Sequence, residues 1–429
     1  MSTFTAYRRV LSGRLFRRYF LGESLSGFGD AMSEVTVVVF AMRLAHGDTK
    51  PIAIALASAA YLVPGIATSM PAARRIARVR SRTLLLIDSG WRGGVLGAAA
   101  LLALFDGLDL AGYLILLGLA SLTRPLAGAG ARAMTRELVE PQMLFTANTL
   151  LANAVQGASM VGPALAGLLI SLTDAGLVLG IDALSFLFYS ALLLTLPGGP
   201  HEPQEPQGET HARARVGEGP RRRRLLGGGL RDHPDVLGLF VLAALFLLLY
   251  GPFVVGLPLI AQERAGGRSA ESVLGGLWAA FGIGAVLGNL LVGARRSSAH
   301  GRYAALIAAA WGAVTVVVAV PTHLAVAWAA MLVGGLIYAP FPAIISTVMQ
   351  QHLPERHLKE AGAYYVALTS TFGPLGTLLG GILIASVSAG TGLAVDGALL
   401  VMVGLAMAWL LRTDAAPAVT PDAAGKPAA

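Results

Sequence analysis

The chain has 429 residues, of which 55% are hydrophobic and 13% charged, and its formal net charge is +8. A soluble domain is about 25% charged, so this composition excludes an ordinary soluble protein. No cysteine occurs, which excludes disulfides and thiol-bound metals.

The basic start "MSTFTAYRRVLSGRLFRRYF" leads into an apolar run that extends from Tyr19 to Leu44. A secretory signal core is roughly 7–15 residues long. The run exceeds that and reads as a retained first helix. A helix crosses a bilayer with roughly 20 apolar residues, and further runs follow at 51–72, 83–105, 111–131, 143–172 and 175–196. Residues 197–235 interrupt the series. Their "PGGPHEPQEPQGETHARARVGEGPRRRR" is rich in proline, glycine and charge, as flexible linkers are. Arg221 to Arg224 suit an anchor on anionic lipid better than a nucleic-acid site, and no nucleic-acid partner is expected. Six more runs lie at 236–261, 272–294, 303–320, 324–349, 361–388 and 391–411, and 412–429 reads as a disordered tail. The expected fold is an all-α membrane protein with 12 transmembrane helices, an N-terminal half over 1–196 and a C-terminal half over 236–411.

Positive charge orients such a chain. Arginines cluster before the first span (Arg8, Arg9, Arg14, Arg17, Arg18) and between spans two and three (Arg74, Arg75, Arg78, Arg80, Arg82). They recur at Arg132, Arg136, Arg295, Arg296, Arg302 and Arg356, all on one side of an alternating path. Lys50, Arg264 and Arg268 are the exceptions. Both termini and the linker are therefore expected to be cytoplasmic, and the protein to lie in a bacterial plasma membrane with the lipid bilayer as its surroundings.

The halves echo one another. "MVGPALAGLLIS" at 160–171 matches "TFGPLGTLLGGILIAS" at 371–386, placing Gly373 and Pro374 opposite Gly162 and Pro163. "IDAL" around Asp182 matches "VDGAL" around Asp396. Two halves of one orientation imply a pseudo-two-fold axis along the membrane normal, with a substrate path between them.

Within the first span, "SGFGDAMSEVTVVVF" carries Asp30 and Glu34 one helical turn apart, with Glu23 on the same face. Ionised carboxylates in lipid are very costly, so this stripe must face protein or a water-filled cavity. A carboxylate held between burial and a nearby arginine can load and release a proton. A static pair with Arg124 is the competing account of Asp30. Asp88 and Arg92, four apart, suggest a local structural pair. Asp182 and Asp396 are read as beginning the last span of each half on the outer side, a favourable place for carboxylates and a structural one. "LYGPFVV" and "IYAPFPA" supply Tyr250, Phe253, Tyr338 and Phe341 beside glycine or proline breaks. An acid-lined half facing an aromatic half suits an amphipathic organic substrate, a cation included. Core packing accounts for the same aromatics equally well.

Six plus six spans, the long central loop and the internal echo resemble the major facilitator superfamily. "SLTRPLAGAGARAMTRELVEPQMLFTANTLLANAVQGASMVGPALAGLL", "GIDALSF" and "GLRDHPDVLGLF" are similar to its macrolide-efflux and enterobactin-exporter-like branch. Ala158, Gly162, Pro163, Ala166 and Gly167 match the superfamily's antiporter motif. Arg124, Gly128, Gly130 and Ala131 resemble a motif whose arginine is tied to proton coupling, though Ala127 replaces its glutamine. "MPAARRIARVRSR" keeps the basic residues of the loop after span two but lacks the acid and glycines that latch the halves. The resemblance implies a secondary transporter and a proton-coupled antiporter exporting a drug-like or natural compound. Asp30, Glu34 and Arg124 would couple protons, while Glu34, Tyr250, Phe253, Tyr338 and Phe341 would meet substrate. Ala158, Gly162, Pro163, Gly167, Gly373 and Pro374 would serve packing and gating. A siderophore exporter, a lipid or lysolipid transporter, and a non-transporting sensor or scaffold remain alternatives. No Walker P-loop, H-E-x-x-H or G-x-S-x-G occurs, so no enzyme activity, cofactor or metal is expected, and the chain is expected to act as a monomer.

Overall fold

The computed structural model describes residues 3–76, 78–197, 233–293, 300–320, 323–353 and 355–411. Most of the linker, with Arg221 to Arg224, lies outside the described residues, as do Arg295, Arg296 and 412–429.

A short amphipathic helix, α1 (Thr3–Ser12), precedes the first membrane helix α2 (Arg14–Leu44). Then follow α3 (Lys50–Ile76), α4 (Ser81–Leu104), the broken pair α5 (Leu110–Ser121) and α6 (Arg124–Leu138), α7 (Leu144–Leu172) and α8 (Ala175–Leu194). The second half repeats this with α9 (Pro234–Glu263), α10 (Ala270–Gly293), α11 (Gly301–Ala319), the broken pair α12 (Leu324–Tyr338) and α13 (Phe341–His352), α14 (Glu355–Ser386) and α15 (Ala389–Leu410). Among the described residues 12 helical segments are long and apolar enough to cross a membrane. Their outward faces carry large apolar side chains such as Leu104, Phe105, Leu172 and Trp409, which only lipid can cover.

The fourth span of each half breaks at the same place. Arg124–Pro125 restarts one and Phe341–Pro342 the other, with proline in the first turn of the new helix. Proline there lacks only an N–H that would have no partner anyway. Close helix approach elsewhere uses small residues. A Cβ on Gly162 of α7 would stand 2.5 Å from the Ala31 side chain on α2. Gly167 lies backbone to backbone on Gly275 of α10, and Gly381 of α14 takes up Ala55 of α3. The last two contacts join the halves, and both lie near the face opposite the termini.

The three cations that broke the charge pattern each have a protein partner on that face. Arg264 donates to the carbonyls of Val318 (2.9 Å), Ala319 (3.2 Å) and Val320 (2.7 Å), the end of α11, where a helix dipole favours a cation. Burial pulls its guanidinium below the usual arginine range. Lys50 donates to Gln262 at 3.0 Å, and Arg268 stands 5.8 Å from the Trp328 ring centre.

Candidate functional site

A cavity of 720 Å³ lies between the halves. Its walls run from mid-span, at Glu34 and Tyr250, towards the terminal face, at Ser69, Ala243 and Tyr365. At the opposite face the halves meet. There Arg43, on the last turn of α2, donates through Nε to Glu271 of α10 at 2.8 Å and pairs also with Asp174. Asp174 caps α8 by accepting from Gly176 N–H. Burial alone would raise its carboxyl; the Arg43 and Gly176 hydrogen bonds outweigh that and hold it below its ordinary value.

In the N-terminal half, Asp30 of α2 is the hub of a half-buried charge cluster. It takes both Nη atoms of Arg92, Nη1 at 3.0 Å, together with Tyr61 Oη at 2.7 Å and Arg124 Nη2 at 3.1 Å. Arg92 is only 2% exposed and its guanidinium lies 4.1 Å from the Phe186 ring centre. Arg124 sits at the N-terminus of α6, where a cation opposes the helix dipole. Asp30 offsets that, and the Tyr61 ring, 4.2 Å away, supports the guanidinium. Gly65 lets α3 approach the break, since a Cβ there would stand 2.6 Å from the Ser121 carbonyl oxygen.

Glu34, one turn on, is different. It faces the cavity as an exposed side chain and, among the described residues, has neither an ion pair nor a hydrogen bond. Glu23, the third acid of the stripe, accepts from Tyr189 Oη at 2.5 Å.

Across the cavity stand Phe246, Tyr250, Tyr338 and Phe341. Phe246 stacks on Tyr338 with centroids 5.8 Å apart and meets Phe341 at 4.9 Å. The two halves thus place contrasting chemistry at matching breaks, Arg124 in one and Phe341 in the other.

Several expectations need correction. Arg92 pairs with Asp30 rather than Asp88, because α4 packs inside the half and Asp30 presents both oxygens to the guanidinium fork; among the described residues Oδ1 of Asp88 has no hydrogen-bond partner. Asp182 and Asp396 do not open their helices. Asp174 and Ser388 are the N-caps, and both acids lie deeper and buried. Asp182 accepts from Ser33 of α2, and Gly29 leaves the room its carboxylate occupies. Oδ1 of Asp396 has no hydrogen-bond partner among the described residues. Phe253 is fully buried against Trp311, at 5.2 Å, rather than lining the cavity, since three residues past Tyr250 a helix has turned by about 300° and stops about 60° short of the same direction. Gly373 and Pro374 line the cavity, and a Cβ on Gly373 would meet nothing within 4 Å. The tight approach to α9 falls at Gly376 and Gly380 instead. Ala158, Gly162, Pro163 and Gly167 are buried. Tyr61, Arg43 and Glu271 carry no signal in sequence that singles them out.

Twelve membrane helices in two similar halves, closed on one face around a central cavity, define a membrane transporter. The chain belongs to the Major Facilitator Superfamily, whose profile matches residues 19–374. It is 24% identical over 383 residues to the uncharacterised MFS-type transporter y4rN of Sinorhizobium fredii (strain NBRC 101917 / NGR234), spanning 85% of this chain and 87% of that protein. Among solved structures it resembles the nucleoside transporter NupG, with a TM-score of 0.68, 16% identity and coverage of 94% and 100% of the two chains. It also resembles the peptide transporter POT in complex with sulfate, with a TM-score of 0.66, 12% identity and coverage of 94% and 97%. At these identities the likeness carries the fold alone.

Proposed function

We propose that this transporter is a proton-coupled antiporter of the macrolide-efflux and enterobactin-exporter-like branch. It exports an amphipathic organic compound across a bacterial plasma membrane by alternating access. The observation that carries the reading is Glu34, a carboxylate with no hydrogen bond or ion pair among the described residues, on the wall of a mid-membrane cavity whose other wall is aromatic. Protonation and substrate binding would compete for it, so that each face of the membrane sees one or the other. Asp30 serves as the fixed counter-ion of Arg92 and Arg124, with Asp88, Asp182 and Asp396 in structural roles. The halves 1–196 and 236–411 rock about the cavity as a monomer, joined by a cytoplasmic linker at 197–235. Expression in an efflux-deficient bacterium is expected to lower accumulation of at least one compound in an amphipathic panel, and a protonophore to restore it. Lowered accumulation that survives the protonophore would count against proton coupling.

The arginine distribution supports cytoplasmic termini. The natural absence of cysteine makes the test clean. Single cysteines at Gly107 and Ser388 should react with a membrane-impermeant maleimide in intact cells, and one at Gly13 only after lysis. The reverse pattern would invert the orientation and turn export into import.

A further inference from the structure

Resting on the reading of the cavity as the substrate site, the charges on its wall go further than an amphipathic substrate. Arg124 spends Nη2 on Asp30 and lays its plane over Tyr61. Its Nη1 makes no hydrogen bond among the described residues, although the residue lines the cavity. Glu34 lines the same wall and, among the described residues, has no hydrogen bond and no ion pair; it feels the Arg124 charge through space without touching it. With Asp30 held between Arg92 and Arg124, the four groups sum to no net charge when ionised.

We propose that the cavity takes a zwitterionic amphipath. Its ammonium meets Glu34, its anionic group meets Arg124, and its apolar body lies against Tyr250, Phe246, Tyr338 and Phe341. A ligand filling the cavity displaces water from both charged side chains. A singly charged ligand restores a partner to one and leaves the other desolvated and unpaired, which is costly in a low-dielectric site. A zwitterion satisfies both and leaves the local charge at zero. The substrate-loaded transporter is then neutral where the proton-loaded one carries an extra positive charge, so the membrane voltage acts on the proton leg.

The test is a matched probe series on the purified full-length protein: a dipeptide of two naphthylalanines, its C-terminal amide and its N-acetyl derivative. These are zwitterion, cation and anion on one apolar body. In equilibrium dialysis the zwitterion is expected to bind at least about tenfold tighter than either relative, a factor equal to ~1.4 kcal/mol. Glu34→Gln should erase the preference over the anion. The wild-type series alone decides the matter if a variant folds poorly. An amide that binds as tightly as the zwitterion shows that Arg124 takes no part and overturns the proposal; an equally tight N-acetyl derivative does the same for Glu34. If the amide binds equally and is driven uphill by protons, the proposal falls and the antiport reading stands. If the zwitterion is preferred without proton exchange, the reverse holds.

Discussion

Asp30→Asn is expected to destabilise the folded protein severely, whereas Glu34→Gln should fold normally and lose uphill export. The two acids sit one turn apart on α2, yet their surroundings differ. Asp30 holds two arginine side chains and a tyrosine hydroxyl. An asparagine in its place leaves Arg92 and Arg124 without the one carboxylate that contacts both. Breaking a buried pair by removing one partner costs about 3–5 kcal/mol. Arg92 is almost wholly buried while Arg124 is partly open to the cavity, so the lower end of that range applies. A fall of several degrees in the melting midpoint of the detergent-solubilised protein measures it. Glu34 has no such obligations, and glutamine keeps its shape while removing the exchangeable charge. One proton entering through 100 mV releases about 2.3 kcal/mol, and each tenfold of substrate gradient takes about 1.4 kcal/mol. Voltage and pH difference together would then sustain roughly a hundredfold to thousandfold gradient. In proteoliposomes Glu34→Gln should equilibrate substrate but not concentrate it. If it concentrates substrate with the wild-type pH dependence, Glu34 is not the coupling group.

The membrane architecture was legible because it depends on local composition. Each of the 12 spans lies within a few residues of an apolar run, and the internal echo marks the two halves. Placement of Glu34, Arg124, Tyr250, Tyr338 and Phe341 around one cavity followed from helix number and depth. What failed were statements about which way a side chain points within a packed half. Asp88 and Arg92 are four apart, the spacing of a surface pair on an isolated helix. Inside the bundle the guanidinium found a better-placed carboxylate on α2. Phe253 departed from expectation for the same reason, since rotation about the helix axis decides between cavity and core and no local pattern records it. Arg43 and Glu271 lie 228 residues apart, and nothing in either neighbourhood announces their meeting.

Gly167→Val is expected to abolish transport by holding the closed face apart. Gly167 and Gly275 touch backbone to backbone across the two halves, and a Cβ at Gly167 would collide with the Gly275 backbone. No side chain is available to swing away, so α7 and α10 must separate. The neighbouring Arg43–Glu271 pair cannot compensate. Its members are partly exposed, at 37% and 14%, and such pairs contribute roughly 0–1 kcal/mol. Overpacking of a tight contact costs about 1–3 kcal/mol, which exceeds what the ion pair holds. The conformational balance should therefore move towards the state open on the face opposite the termini. Glu271→Gln removes the ion pair alone and should shift the same balance only slightly, keeping most of the activity. Spin labels on cysteines at Gly107 and Ser388, one in each half, report the separation by pulsed electron resonance. The distance distribution should lengthen in Gly167→Val and broaden modestly in Glu271→Gln. An unchanged distance with full transport in Gly167→Val would show that closure of this face does not depend on the glycine contact. A larger opening in Glu271→Gln than in Gly167→Val would make the ion pair, rather than backbone contact, the element that seals it.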